Sequence, residues 1–240
     1  MPSTLLTTPG FVLHTTPYGE SSVVARVFTR RLGVKPYIIK GVRTAKGRAK
    51  QNLLQPLSCV DMTVYDNPRR ELGFVKELSP RQPLPMPSPE GNALRMFMTE
   101  VLYKALREAN PQPDLWDYVA QQVAEADGTA RTQADQPLRF LLSVAEYMGI
   151  APRDNYAPAR PYFDLQEGHF LPAATESTLS LPLSATLHRY LATPSTQPPS
   201  ELPPHKFRRD LMDSLLAYLQ LHLSGFGQMA SPDILHTLLK

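Results

Sequence analysis

Nine basic residues, Arg26, Arg30, Arg31, Lys35, Lys40, Arg43, Lys46, Arg48 and Lys50, fall in a stretch that holds no acidic side chain. Cations at that density suit a polyanion such as DNA or RNA, because each phosphate they neutralise releases condensed counterions. The competing reading is a solvated basic face that only sets solubility. Apolar runs, Val23-Val24-Ala25 and Tyr37-Ile38-Ile39, lie between the charges, with Gly33, Gly41 and Gly47 as punctuation. The cluster therefore sits on strands and their connecting loops. These nine residues form the candidate DNA-binding set.

Other chemistry finds little support. Gly41 to Lys50 superficially resembles a phosphate-binding loop, but five residues rather than four separate Gly41 from Gly47, and Arg48-Ala49 follow where Lys and Ser/Thr are needed. The six histidines, His14, His169, His188, His205, His222 and His236, are scattered, with no pair at helical ligand spacing. Cys59 is the single cysteine, so an internal disulfide and a thiolate zinc cluster are both excluded, and its apolar surroundings suit a core thiol. A nuclease would need convergent carboxylates beside the basic groove; positions 21–60 contain none. Asp114 with Asp117, and Glu125 with Asp127, fall near predicted helix ends, where they cap or stay solvated. No G-x-S-x-G elbow occurs. The chain reads as a binder and not an enzyme, with no catalytic residue and no metal.

Exposed rings would add base stacking to phosphate binding. Tyr37 shares strand parity with Lys35, and Tyr18 sits in a turn beside the basic surface. The alternative is that Phe11, Phe28, Tyr37 and Tyr65 fill a barrel core.

The elements that would position the cations follow from pattern. Five segments in the first 80 residues, roughly 10–16, 22–29, 34–41, 57–65 and 72–78, are rich in β-branched and aromatic residues and bounded by turn residues. Five short strands with a longer insertion after the third suit a five-stranded OB-fold barrel, whose strand 2–3 face and loops commonly bind oligonucleotides. Prolines 80, 83, 85, 87 and 89 then make an extended linker over 81–89. Residues 90–240 turn to helical periodicity, with helices expected near 88–109, 114–126, 137–148, 184–192, 205–223 and 234–239. A small hairpin interrupts them near 160–171, and a second proline-rich loop covers 194–204. The expected class is thus α+β multidomain: an N-terminal OB barrel over 1–80 followed by an α-helical bundle.

Charge separates along the same line. Residues 1–80 hold 12 Lys/Arg against five Asp/Glu, while the remaining 160 hold 13 against 17. Different partners for the two parts are expected, with the polyanion at the N-terminal one. No signal peptide and no run of ~18–20 apolar residues is present, which points to a soluble, cytoplasmic and nucleoid-associated protein without membrane contact.

Gly10-Phe-Val-Leu-His14, Tyr18-Gly-Glu-Ser-Ser22, Val27-Phe-Thr29, Gly33, Lys40-Gly-Val-Arg43 and Leu54-Gln-Pro-Leu57 follow one another in an order that resembles the N-terminal domain of the bacterial recombination mediator family RecO. The resemblance is specific over about residues 9–80. It is looser over the helical part, which ends in a long helix and Ser231-Pro-Asp-Ile-Leu235. It implies an OB-fold joined to a helical domain in a non-enzymatic DNA repair protein. Such a protein binds single- and double-stranded DNA and anneals complementary strands without ATP. With RecR it helps load RecA onto DNA coated by single-strand binding protein. Many members carry a four-cysteine zinc site after the third helix; Ala151–Phe170 has no cysteine here, so no zinc is expected and Tyr156, Phe163, Leu165 and Phe170 should hold the hairpin by packing. Lys206, Arg208 and Arg209 are candidate partner-binding residues for the acidic, Phe-ended tail of single-strand binding protein. A generic OB-fold RNA-binding protein of translation or RNA processing is the competing class, and a scaffold whose barrel tunes solubility is a third.

Overall fold

Alternation along Ser22–Thr29 places Val23, Ala25 and Val27 on one face of a strand and Val24, Arg26 and Phe28 on the other. In the structure, a computed structural model that describes residues 4–66, 71–81, 88–107, 110–193 and 201–238, the first of these faces lines a closed barrel. Its strands are β1 (Thr4–Tyr18), β2 (Ser22–Thr29), β3 (Gly33–Ile39), β4 (Cys59–Asp66) and β5 (Gly73–Pro80), in the order β1-β2-β3-β5-β4. Every neighbouring pair is antiparallel except β3 and β5, which run parallel at Tyr37–Gly73 and Ile38–Phe74. That is the OB-fold expected from the strand pattern.

The first strand is longer than expected. It begins at Thr4, because its N-terminal half pairs with β4 and its C-terminal half with β2, so one strand closes the barrel. Pro9-Gly10 looks like a turn in the sequence, yet it lies inside this strand. A Cβ on Gly10 would sit 2.6 Å from Cγ1 of Val27, so only glycine allows the approach. A register shift between Val12 and His14 adds to the irregularity of the strand.

Val12, Val23, Ala25, Val27, Tyr37, Ile39, Val60, Met62 and Val64 fill the barrel, joined by Val42 and Leu54 from the segment between β3 and β4. Lys35 pairs in register with Val27, so the face it shares with Tyr37 is the interior one. Tyr37 is a core residue, 1% exposed, and offers no stacking platform. On the outer face, paired Phe11 and Phe28 lie under the indole of Trp116: the Phe11 and Trp116 rings are 4.9 Å apart, and Trp116 Nε1 donates to the Phe28 carbonyl at 3.2 Å.

Trp116 belongs to α3 (Pro113–Glu125), which follows α2 (Pro89–Ala105). The compact units divide at the proline-rich stretch, between Pro87 and Ser88, but also within α2 and at the end of α3. One comprises Met1–Pro87 with Met98–Ala124, the other Ser88–Phe97 with Glu125–Lys240. Beyond the expected division into 1–80 and 90–240, residues 98–124 group with the barrel, where Leu106, Trp116 and Asp117 bond Arg26, Phe28 and Arg30. The linker 81–89 and the loop 194–204 fall mostly outside the described residues.

The second unit holds α4 (Ala130–Tyr147), α5 (Leu181–Leu191), α6 (His205–His222) and α7 (Ser231–Leu238), with a two-stranded hairpin, β6 (Tyr162–Asp164) and β7 (His169–Leu171). α4 starts seven residues before the expected Pro137. Thr129 caps it by accepting from the Thr132 amide, and Pro137 sits in its interior. Asp127, just before that cap, accepts from Arg95 Nη2 at 2.5 Å and from the Ser88 amide at 3.1 Å. The Arg95 hydrogen bond leads the effects that hold its carboxyl below the usual carboxylate range.

The hairpin is held by more than the expected packing. Phe163 and Phe170 are fully buried and meet edge to face at 5.1 Å, with Tyr156 at 5.3 Å from Phe170. Between them lies Asp164, 2% exposed. Its Oδ1 accepts from the Gln166 and Glu167 amides at 2.8 and 3.0 Å, and its Oδ2 from the Thr175 and Ser177 hydroxyls, both at 2.7 Å. Burial opposes ionisation of this carboxyl, but the four donors outweigh it and the net displacement is downward.

Candidate nucleic-acid interface

The segment between β3 and β4 is fastened to the barrel at both ends. Gly41 turns the chain with φ +72° and Val42 then drops into the core, 3% exposed. Gly47 follows at a point where a Cβ would lie 2.2 Å from the Val42 carbonyl, so no side chain fits there. Thr44 Oγ1 donates to the Gly41 carbonyl, the Gly47 amide to the Thr44 carbonyl and the Gln51 amide to the Gly47 carbonyl. A short helix, α1 (Arg48–Asn52), delivers Leu53 and Leu54 to the core. Leu57, 1% exposed, takes φ +51°, a strained value for a branched side chain, and is locked by its amide to Val12 and by the Val12 amide to Ser58.

With the apolar residues turned inward, Lys40, Arg43, Lys46, Arg48 and Lys50 are left exposed. Lys50 Nζ closes the loop on the Lys40 carbonyl at 3.1 Å. Arg43 ties it to the turn between β1 and β2: its amide donates to the Ser21 carbonyl at 2.9 Å and its Nη1 to the Gly19 carbonyl at 2.8 Å. An ammonium has three donors and a guanidinium five, so both groups keep most of their capacity for phosphate oxygens.

The other sequence-predicted cations are placed differently. Arg26 Nη2 donates to the Leu106 carbonyl at 2.8 Å, and its guanidinium lies 5.1 Å from the Tyr103 ring centre. Arg30 forms a two-pronged ion pair with Asp117, at 2.9 Å on both oxygens, which raises the guanidinium pKa and lowers that of the carboxyl. Asp117 is thus an ion-pair partner and not merely a solvated helix residue. Arg31 reaches toward the Thr7 carbonyl at 3.5 Å, and Lys35 is half-buried in β3. Strand position alone therefore overstates the basic face: the structure gathers the five loop cations and commits Arg26 and Arg30 to bonds within the barrel unit.

In the helical unit, Arg208 and Arg209 line a shallow cleft of about 30 Å³ with Pro137, Leu138, Met212 and Leu235, and His205 and His236 complete its rim. Lys206, though exposed, is not among its lining residues. Sequence reasoning missed the two histidines, whose i and i+31 positions carry no local signal. Among the described residues, no group of three or more His, Cys, Asp or Glu is placed to hold a metal ion, and no helix is long and apolar enough to cross a membrane. Burial pushes the Cys59 thiol up to about 12.

A closed OB barrel whose third and fourth strands are joined by a cation-bearing loop defines a class of barrel proteins with a phosphate-suited surface. Comparison narrows the class to one family. The chain belongs to the RecO family: the model described as "Recombination protein O N terminal" matches residues 1–84 and "Recombination protein O C terminal" matches residues 86–231. It is 27% identical to the DNA repair protein RecO of Porphyromonas gingivalis over 244 residues, covering 98% of this chain and 99% of that one. It is 25% identical to that of Christiangramia forsetii, with 97% and 98% covered. To that of Phocaeicola vulgatus it is 29% identical, with 68% and 69% covered. The family is one of DNA repair and recombination mediators, and that role extends to this chain.

Proposed function

We propose that the protein binds single- and double-stranded DNA on the loop between β3 and β4 and anneals complementary strands without ATP or metal. With RecR, it then helps load RecA onto DNA coated by single-strand binding protein. One observation carries this reading: five exposed cations on a backbone anchored by Val42, Leu54 and Leu57. A fixed array of charges with no base-reading geometry contacts phosphates and tolerates any sequence. Two strands brought onto one such surface repel each other less, which is all that annealing requires. Among the described residues no group of carboxylates is placed to hold a metal ion, and annealing should proceed in EDTA without nucleotide. The shallow cleft beside α4 is too small to bury a ring, so its Arg208–Arg209 edge supports a second contact with the acidic, Phe-ended tail of single-strand binding protein through charge alone.

The test replaces Lys40, Arg43, Lys46, Arg48 and Lys50 together with glutamine and follows DNA binding by fluorescence anisotropy from 50 to 200 mM salt. Each lost phosphate contact should flatten the log–log slope by about 0.7 on single strands and about 0.9 on duplex. A folded variant with wild-type affinity and slope would rule out this surface.

A further inference from the structure

We infer that Tyr18 is the base-stacking residue of the cationic loop and gives that surface a preference for unpaired strands; this deepens the DNA-binding reading above and rests on it. Tyr18 is the last residue of β1, paired with Ser22, and is 49% exposed. Gly19 follows in the left-handed region at φ +59°. The turn is fixed by the loop itself, because Arg43 donates to both the Gly19 and Ser21 carbonyls. One arginine therefore holds the backbone beside the ring and presents its remaining donors to phosphate. A ring with an exposed face next to cations matches what a single strand offers, a base face and a phosphate a few ångströms apart. A duplex keeps its base faces stacked and offers only the phosphates.

Most other described rings of the barrel strands are engaged elsewhere: exposed His14 lies 5.0 Å from the Tyr103 ring, and Phe74 is half-buried. Phe11, Phe28 and Tyr37 are each 1% exposed, the first two on the Trp116 side and the third inside. Tyr65, also exposed, pairs with Phe74, which pairs with Ile38 two residues before Lys40; it flanks the β3–β5 side of the loop, whereas Tyr18 adjoins the turn that Arg43 binds. Glu20 is the acidic neighbour in the turn, exposed like the ring, and sets a limit on how closely a phosphate approaches from that side.

The experiment compares Tyr18→Ala, Tyr18→Phe and Tyr18→Trp in the full chain, on an oligothymidine and on a duplex of equal length. Tyr18→Ala should weaken single-strand binding about fivefold or more. Duplex affinity and the single-strand salt slope should stay unchanged, because no charge is lost. Tyr18→Phe and Tyr18→Trp should bind as wild type or tighter. Irradiation of an iodouracil-substituted strand should crosslink to the peptide containing Tyr18. Equal losses on both substrates, or no loss on the single strand, would overturn the inference. The five-glutamine loop variant, run alongside, separates the two readings: if it binds as wild type, the phosphate surface is refuted, whatever Tyr18 does.

Discussion

Replacing Asp164 with alanine removes one buried carboxylate and strands four donors at once, the Gln166 and Glu167 amides and the Thr175 and Ser177 hydroxyls. Each such bond to an ionised acceptor contributes about 1.5–3 kcal/mol in mutational series. Gln166, Glu167 and Thr175 are exposed, so water replaces much of what is lost, and a net cost of about 3 kcal/mol follows. The effect should be local to the hairpin. Hydrogen exchange at the Leu165 and Leu179 amides, which bond the Ser177 and Phe163 carbonyls, should speed up on the order of 100-fold. The β2 amides of the barrel should not change. The wild-type carboxyl has a lowered folded pKa, so its contribution is complete above the unfolded value of about 4 and is lost as pH falls through the folded one. Protection of the hairpin should therefore be flat from pH 7 to 5 and decline below about 4, and that acid-side decline should vanish in the variant. Unchanged exchange at Leu165 and Leu179 in Asp164→Ala would refute the role given to the carboxylate.

Cys59, with its thiol pushed up to about 12, should react with a thiolate-selective reagent at pH 8 roughly 50-fold or more slowly than in denaturant; equal rates would refute a thiol shielded by burial. Arg26→Gln with Arg30→Gln should change the DNA salt slope by less than about 0.5, whereas Lys46→Gln with Arg48→Gln should flatten it by about 1.4–1.8. The first pair should instead lower the melting temperature, since it removes the Leu106 and Asp117 contacts. Equal flattening by both pairs would contradict the division between loop and strand cations.

The barrel was readable because β2 and β3 are rich in β-branched and aromatic residues and their turns are marked by glycine. Its first strand was half hidden, since Pro9-Gly10 imitates a turn and only the pairing of Thr4–Phe11 with β4 shows otherwise. The start of α4 was missed in a similar way: Pro137 looks like a first helical residue, while the true signal, Thr129 followed by Thr132, is weak by itself. The basic cluster was legible as composition but not as a surface. Arg26 and Arg30 are consumed by partners 80 and 87 positions away, which no local pattern announces. Asp164 was also legible only afterwards, because two of its four donors come from 11 and 13 residues downstream.

The bonds that tie Arg43 to the β1–β2 turn, Lys50 to Lys40 and Gly47 to Thr44 bear on the calorimetry of binding. A loop already held in shape has little configurational freedom left to surrender when a strand arrives. Little apolar surface is covered beyond one ring, so the heat-capacity change should be small. Complex formation should then be nearly athermal at low salt, driven by the ions that leave the strand rather than by heat released at the protein.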